Sequence, residues 1–249
     1  TSMRIAVFSD IHGNDLAFEA VEADIKKQNV DQLVCLGDAI QGGPQPVEVV
    51  RRLQRLNCPT VLGNADAWLL SGLETGNEEI EPERLKKMEA IRQWSLSQLS
   101  ISDREFIAEF QATITISLEK DLELLCFHAS PDSFEDAIVP AAPQEVFQKY
   151  LGKYADRILT GGHTHAQQVR RNGEFFFFNP GSVGLVFSEF QNEDKLRADR
   201  WAEYAILTVE NGNTSLEFRR IPYDMQALAQ IYRTSGRPSA EEALAQYQR

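Results

Sequence analysis

The sequence lacks the features that mark several large classes of protein. Its 249 residues include only three cysteines, an odd number with no CxxC spacing, which favours reduced, buried thiols over a disulfide framework. It has no run of about 18 apolar residues and no basic segment followed by an apolar stretch at its start. We therefore expect neither a transmembrane helix nor a signal peptide, and a cytoplasmic location.

Basic residues are also scarce in this chain. Twenty-five Lys and Arg against 37 Asp and Glu give a formal net charge of −12. Non-specific binding to nucleic acid or to an anionic membrane requires an excess of cations, so neither partner is expected. An anionic substrate stays compatible with this charge, because bound divalent metals would reverse the field locally. The sequence does not specify an oligomeric state.

Only four histidines occur, and all of them lie among other residues that can bind metal. The candidate ligands are Asp10, His12, Asp38, Asn64, His128, His163 and His165. Imidazoles, carboxylates and amide oxygens are the ligands of borderline divalent metals. Seven ligands are too many for one tetrahedral site and about right for two metals that share a carboxylate. The chemistry that follows is hydrolysis of a phosphate ester.

The spacing of these ligands predicts that they converge. Asp10 and His12 are two residues apart after an apolar strand, and strand alternation places both side chains on one side of the chain. His163 and His165 repeat this spacing after another predicted strand. The other candidates also follow apolar runs. In open α/β sheets the binding crevice lies outside the carboxyl ends of the strands, so distant ligands can meet there.

The periodicity of apolar residues predicts an α/β fold that opens as βαβαβ with a parallel sheet. The predicted strands are Arg4–Ser9, Gln32–Leu36 and Pro59–Leu62, and the helices between them are Asn14–Gln28 and Gln45–Leu56. From Ala112 onward strands predominate, with one hairpin around Glu119-Lys120-Asp121 and another at the Asn172-Gly173 turn.

We expect a single domain over residues 1–249, with a helical cap-like insert at about 67–110 and a C-terminal helical tail at about 223–249. A helical layer packed on the sheet explains the insert equally well. Within the insert, Ser102-Asp103-Arg104-Glu105 resembles a capping box that opens a helix. The tail after Gly236-Arg237-Pro238 is expected to be loosely attached.

The ordered motifs resemble those of the calcineurin-like metallophosphoesterases. They are Asp-x-His at 10–12, Gly-Asp at 37–38, Gly-Asn at 63–64, His128 and Gly-His-x-His at 162–165. The run Asn-Pro-Gly-Ser-Val-Gly at 179–184 is similar to the bacterial and archaeal phosphodiesterase-like branch. The resemblance implies two facing mixed β-sheets flanked by helices, a four-layer sandwich with a helical insert.

The resemblance also implies a role for each ligand. One metal would be held by Asp10, His12 and His165, the other by Asn64, His128 and His163, with Asp38 bridging the two. The implied cofactors are two divalent metal ions, manganese first and iron, zinc or nickel as alternatives that suit mixed ligands. A hydroxide bridging the metals would attack phosphorus in line.

One position departs from the family pattern and bears on the substrate. The family often has Gly-Asn-His-Asp/Glu, whereas this chain has Gly63-Asn64-Ala65-Asp66. Losing a general acid costs about 10²–10⁴-fold in rate unless the leaving group needs little help. Since Ala65 cannot donate a proton, the sequence favours a small phosphodiester or nucleotide polyphosphate over alkyl monoesters and phosphoproteins.

We predict catalytic roles for Asp38, Asn64 and Asp66, the last by orienting Asn64 or by filling part of the gap left at Ala65. Asn14 and Asn64 are predicted to contact substrate, although Asn14 could instead only cap the first helix. Specificity is expected from residues 66–110 and from the loop at 41–46. A phosphoprotein phosphatase and a non-catalytic scaffold of the same fold are the competing functions.

Overall fold

The computed structural model describes residues 2–73, 80–119, 121–187 and 196–247. The strands are β1 (Ser2–Phe8), β2 (Gln32–Cys35), β3 (Ile114–Glu119), β4 (Leu122–Cys126), β5 (Ile158–Thr160), β6 (Gln168–Asn172), β7 (Phe175–Asn179), β8 (Trp201–Glu210) and β9 (Asn213–Pro222). The helices are α1 (Asp15–Ile25), α2 (Pro46–Arg55), α3 (Asn64–Ser71), α4 (Pro82–Gln98), α5 (Ile101–Ala108), α6 (Gln144–Leu151), α7 (Met225–Ser235) and α8 (Ala240–Ala245). Residues 74–79 of the predicted insert, Lys120 of the first predicted hairpin turn and residues 248–249 of the predicted tail lie outside the described residues.

The strands form two mixed sheets. The first has the order β2-β1-β8-β9, with β1 parallel to β2 and antiparallel to β8. The second has the order β3-β4-β5-β7-β6, with β4, β5 and β7 mutually parallel. Both predicted hairpins are present, as the antiparallel pairs β3–β4 and β6–β7. The predicted α/β class with two mixed sheets is confirmed.

The alternation of apolar residues in β1 explains the layering. Ile5 and Val7 join the cluster between the sheets, which also contains Phe178 of β7. Ala6 and Phe8 point the other way and pack with α1 on the outer face. Successive side chains of a strand alternate between faces, so one apolar strand can serve two cores. The sheets therefore face each other, with helices outside both.

Two local predictions are wrong. The third predicted strand, Pro59–Leu62, is reduced to two isolated bridges, Cys35 with Thr60 and Val61 with Gln111, because neighbouring residues pair with different partners before the chain enters α3. The capping box of α5 begins two residues earlier than predicted. Ser100 and Asp103 cap each other's backbone, since the Asp103 carboxylate reaches the Ser100 amide at 2.9 Å.

The C-terminal tail is docked rather than loosely attached. Leu244 and Tyr247 are buried in a cluster with Leu228 of α7. The Tyr247 hydroxyl donates a hydrogen bond to the carbonyl of Gly184 at 2.7 Å. The apolar side chains of α8 thus find a partner surface, which a composition-based prediction of a loose tail had missed.

The helices of residues 67–110 pack on the first sheet, and one of them also lines a cavity. Leu69, Leu99 and Ile107 belong to the core on the outer face of the first sheet, whereas Lys87 and Ile91 of α4 line a cavity. The division of the chain into a domain, an insert and a tail stays a prediction. Among the described residues, no helix is both long enough and apolar enough to cross a bilayer.

Candidate metal centre

The carboxyl ends of parallel strands lead directly into the predicted ligands. Asp10 follows β1, Asp38 follows β2, His128 follows β4 and His163 follows β5. Asn64 is the first residue of α3. Since the two sheets face each other, the ends of their parallel strands meet at one cleft, as expected for α/β sheets.

Most of these ligands lie in tight left-handed turns beyond the strands. The positive φ angles are 54° at Asp10, 47° at His12, 49° at Asp38, 69° at His163 and 56° at His165. A left-handed conformation costs a non-glycine residue roughly 1–3 kcal/mol and persists only where its surroundings hold it. The prediction that strand alternation aligns each doublet is therefore wrong: turns after the strand ends direct these side chains.

Backbone hydrogen bonds between the loops hold the turns in place. The Asp10 amide donates to the Gly37 carbonyl and the His12 amide to the Asp38 carbonyl, both at 2.9 Å. The Gly162 amide donates to the His128 carbonyl at 2.7 Å. The ligand loops of each sheet are thus bonded to one another by their main chains.

The candidate ligand atoms gather into two groups, each with its atoms within 4.8 Å of one another. The groups are Asp10, His12 and His165, and Asp38, His128 and His163. In the first, Nε2 of His165 lies 3.2 Å from Oδ1 of Asp10 and 3.2 Å from Nε2 of His12. Atoms bound at about 2.1 Å to one ion are about 3.0–3.4 Å apart, so this spacing fits a shared metal.

The Asp38 carboxylate lies between the two groups. Its Oδ2 is 3.7 Å from Nε2 of His12 in one group and 3.4 Å from Nε2 of His128 in the other. Its Oδ1 accepts a hydrogen bond from the Ala65 amide at 2.8 Å. Asn64 joins the second group through Oδ1, which is 2.9 Å from Nε2 of His128.

Three imidazole rings are oriented by backbone carbonyl oxygens. Nδ1 of His12, His128 and His165 lies 2.9, 2.8 and 2.5 Å from the carbonyl oxygens of Gln41, Leu36 and Leu185. A proton donated from Nδ1 leaves the lone pair on Nε2, and outer contacts of this kind hold metal-binding histidines in proteins. In the neutral rings, Nε2 therefore faces the cleft with its lone pair available to a metal.

A buried carboxylate oxygen tests whether a cation fits this site. Oδ1 of Asp10 is buried and has no hydrogen-bond partner, whereas its Oδ2 accepts from the His163 amide at 3.1 Å. An unsatisfied buried acceptor is costly, and more so when it is charged. A divalent metal would satisfy this oxygen together with the neighbouring Nε2 atoms, so the residues fit such an ion.

The charges of the cleft strongly shift the pKa values of its histidines. Burial opposes protonation of His12 and His128, but Asp10 and Asp38 outweigh it and raise their pKa values to about 9 and about 10. Burial, aided by the charge of His128, lowers the pKa of His163 to about 4. Protons and metal compete for these nitrogens, so metal binding should release protons.

Two motif glycines are required by the close approach of ligand side chains. A Cβ on Gly63 would lie 2.1 Å from Oδ1 of Asp38. A Cβ on Gly162 would lie 2.6 Å from Oδ2 of Asp10 and 2.1 Å from the hydroxyl of Ser9. The glycines before Asn64 and His163 therefore leave room for the aspartates of the neighbouring strand ends.

Two further predicted site residues are engaged with the protein. The fully buried Asp66 accepts hydrogen bonds from the amides of Ala39 and Ile40 at 3.1 and 3.0 Å, and burial together with the Asp38 charge raises its pKa to about 6. Asp66 thus anchors the loop after Asp38, and no hydrogen bond joins it to Asn64 among the described residues. Its predicted part in catalysis stays a prediction.

The side chain of Asn14 caps the first helix, as one of the two sequence interpretations proposed. Its Oδ1 accepts from the Ala17 amide at 3.1 Å, and its Nδ2 donates to the Gly184 carbonyl at 3.2 Å. A contact between Asn14 and substrate stays a prediction.

A cavity of about 250 Å³ opens beside His12. Gly42, Gly43 and helix α4 line it, in keeping with the segments from which specificity was expected. The C-terminal residues Tyr232, Arg237 and Tyr247 line it as well, and sequence reasoning missed them. The sequence feature near them is Arg237 between Gly236 and Pro238, a pattern typical of an ordinary loop.

Comparisons with known proteins agree with this geometry. The family model of the calcineurin-like phosphoesterase superfamily domain matches residues 3–212. An uncharacterised protein of Methanocaldococcus jannaschii is 29% identical over 240 residues, covering 89% of this chain and 88% of that protein. A metallophosphoesterase from Sphaerobacter thermophilus is 24% identical with a TM-score of 0.73, covering 98% of each chain. A hypothetical protein from Pyrococcus horikoshii is 18% identical with a TM-score of 0.76, covering 97% of each chain. These two solved structures share the fold.

Proposed function

Since this chain belongs to the calcineurin-like phosphoesterase superfamily and is a metallophosphoesterase, we propose that it hydrolyses small phosphodiesters or nucleotide phosphoanhydrides at a two-metal centre. The observation that carries the proposal is the pair of ligand groups with Asp38 between them. The proposed ligands are Asp10, His12, Asp38, Asn64, His128, His163 and His165. Manganese is the first candidate metal, with iron, zinc and nickel as alternatives.

Different side chains would hold the two ions. When bound, the ions supply Lewis acidity at the phosphoryl oxygens and lower the pKa of water to roughly 7, which yields the nucleophile. Asp38 presents one carboxylate to both groups, and its position is fixed by the Ala65 amide. Asn64 contributes a neutral oxygen beside His128, so it adds a ligand without adding negative charge.

The leaving group receives little help from residue 65. Ala65 is half-buried and carries no proton donor in its side chain, and its amide is already bonded to Asp38. The buried Asp66 carboxylate accepts hydrogen bonds from two backbone amides. A leaving group of low pKa departs without a general acid, which supports phosphoanhydrides and diesters with good leaving groups over alkyl monoesters.

The test compares two aryl esters with manganese in excess. We expect turnover of bis(4-nitrophenyl) phosphate to exceed that of 4-nitrophenyl phosphate by at least tenfold in kcat/KM. The variant Ala65→His should raise hydrolysis of an alkyl monoester such as glycerol phosphate more than that of either nitrophenyl ester, because only the alkoxide leaving group needs the missing proton donor. A clear preference of the unaltered protein for the monoester would contradict the substrate proposal, and a phosphopeptide panel would then examine the phosphoprotein phosphatase alternative.

A further inference from the structure

The cavity beside His12 is built from parts of the chain that are distant in sequence. The loop Gly42–Gly43 forms one wall, and Lys87 and Ile91 of α4 form another. The loop between α7 and α8 closes it with Arg237. A substrate whose phosphorus lies at the metal ligands would extend into this space, because His12 belongs to both the cavity wall and the first ligand group.

The Arg237 side chain is held by the backbone carbonyl oxygens of Gly42, Pro238 and Ser239. Nε donates to the Gly42 carbonyl at 2.8 Å and Nη1 to the Pro238 carbonyl at 2.6 Å. The guanidinium lies over the ring of Tyr232, 5.5 Å from its centroid. Among the residues described, no carboxylate forms a salt bridge with it and Nη2 has no hydrogen-bond acceptor. The N–H groups of Nη2 are therefore free to donate to a ligand.

Of the lysines and arginines that line the cavity, Arg237 has no salt bridge among the described residues. Lys87, the other basic residue of the wall, is paired with Glu242 at 3.1 Å, so their charges offset each other. The chain as a whole has a net charge of −12. Half-buried arginines that line clefts without a carboxylate partner are typical binding sites for phosphate and carboxylate groups.

Consecutive peptide groups fix Arg237 relative to the metal ligands. The Gln41 carbonyl accepts from the His12 ring, and the Gly42 carbonyl accepts from Arg237. A cation and a metal ligand are thus attached to adjacent residues of one loop. This arrangement suits a substrate with two anionic groups a few bonds apart.

We propose that Arg237 binds a second phosphate of the substrate, beyond the phosphorus that is attacked. The inference rests on the proposed function. It narrows the proposed substrates from phosphodiesters or nucleotide phosphoanhydrides to the phosphoanhydrides, such as dinucleoside polyphosphates. The guanidinium forms charge-assisted hydrogen bonds with that phosphate, whereas an aryl diester offers it no second anion.

The experiment compares two substrates in the full-length, manganese-loaded protein. With diadenosine tetraphosphate, Arg237→Gln should raise KM roughly 10- to 100-fold, as expected for losing a hydrogen bond to a charged group, with a smaller change in kcat. With bis(4-nitrophenyl) phosphate, the same variant should stay within about threefold of the unaltered protein, because this substrate has no second anion for Arg237 to bind. Arg237→Lys should recover part of the KM, since it keeps the charge but not the fork.

Arg233→Gln is the matched control, because Arg233 is an exposed arginine of α7 that pairs with Glu241 and does not line the cavity. It should change neither substrate's KM. Equal losses on both substrates in Arg237→Gln, or no loss on either, would overturn the inference. Hydrolysis of the aryl diester without the tetraphosphate by the unaltered protein would also overturn it and leave the proposed function intact, whereas hydrolysis of neither would count against the proposed function itself.

Discussion

At the scale of the residue, the Asp38 carboxylate lies between the two candidate ligand groups. Asp38→Ala removes the carboxylate between His12 and His128, so we expect both metals to be lost. Asn64→Ala removes a neutral ligand beside His128 and should mainly weaken one metal. The metal content of each variant after manganese loading and desalting, measured by mass spectrometry, tests both expectations.

The control for these variants is Asp132→Ala, an exposed aspartate that pairs with Lys153 and belongs to neither ligand group. It should retain the metal content of the unaltered protein. Equal metal content in Asp38→Ala and Asp132→Ala would reject the bridging role.

A cluster of ion pairs between α1 and α2 makes a separate contribution to the stability of the fold. Hydrogen bonding by Arg55 lowers the pKa of Glu22 most, burial acts against it, and Lys26 and Arg52 add to the lowering. A carboxyl whose pKa is lower in the folded than in the unfolded state stabilises the fold above about pH 4.5, and this contribution is lost as the pH falls through the folded-state pKa.

Glu22→Gln should therefore lower the free energy of unfolding by about 1–3 kcal/mol at pH 7, because it removes the anion that three cations face. The difference from the unaltered protein should shrink as the pH falls below about 4. Urea unfolding at several pH values measures it, with the exposed Glu48→Gln as the control. A difference that grew on acidification would show the opposite linkage.

At the scale of the element, the start of α5 offers a sharp test of capping. Ser100→Ala removes the hydroxyl that accepts from the Asp103 amide and should cost about 1 kcal/mol of stability. Ser102→Ala lies inside the helix on its exposed side and should cost less than about 0.5 kcal/mol. Thermal unfolding of the two variants compares them, and the reverse order would place the cap at Ser102.

Some of the structural elements could be predicted from the sequence, and others could not. The βαβ opening, both hairpins and the strand ends that carry the ligands were predictable, because apolar periodicity and turn residues are local signals. The left-handed turns at the ligands were not, since few non-glycine residues adopt them and contacts between distant loops stabilise them here. The contribution of α7 and α8 to the cavity depends on long-range docking and leaves no local signal.

At the scale of the whole molecule, metal binding should stabilise the fold, because the ligands come from both sheets. A ligand at 100 times its Kd adds about 2.7 kcal/mol to the folded state. For a chain of this size we expect Tm to fall by about 5–10 °C when manganese is replaced by EDTA. Differential scanning fluorimetry measures the shift.

The variant Asp38→Ala provides the internal reference for this measurement. Its Tm should respond to EDTA by less than about 2 °C, because little metal is bound to remove. A shift as large as that of the unaltered protein would mean that the stabilising ions bind elsewhere.

The main-chain bonds between the ligand loops have a consequence for how such a protein can diverge. Hydrogen bonds between peptide groups, as between Asp10 and Gly37 or Gly162 and His128, join the ligand loops independently of the ligand side chains. Replacing one ligand therefore removes a function without dismantling the scaffold that holds the others. Descendants of this chain could exchange one metal, or lose catalysis altogether, while the cleft kept its shape and stayed open to new uses.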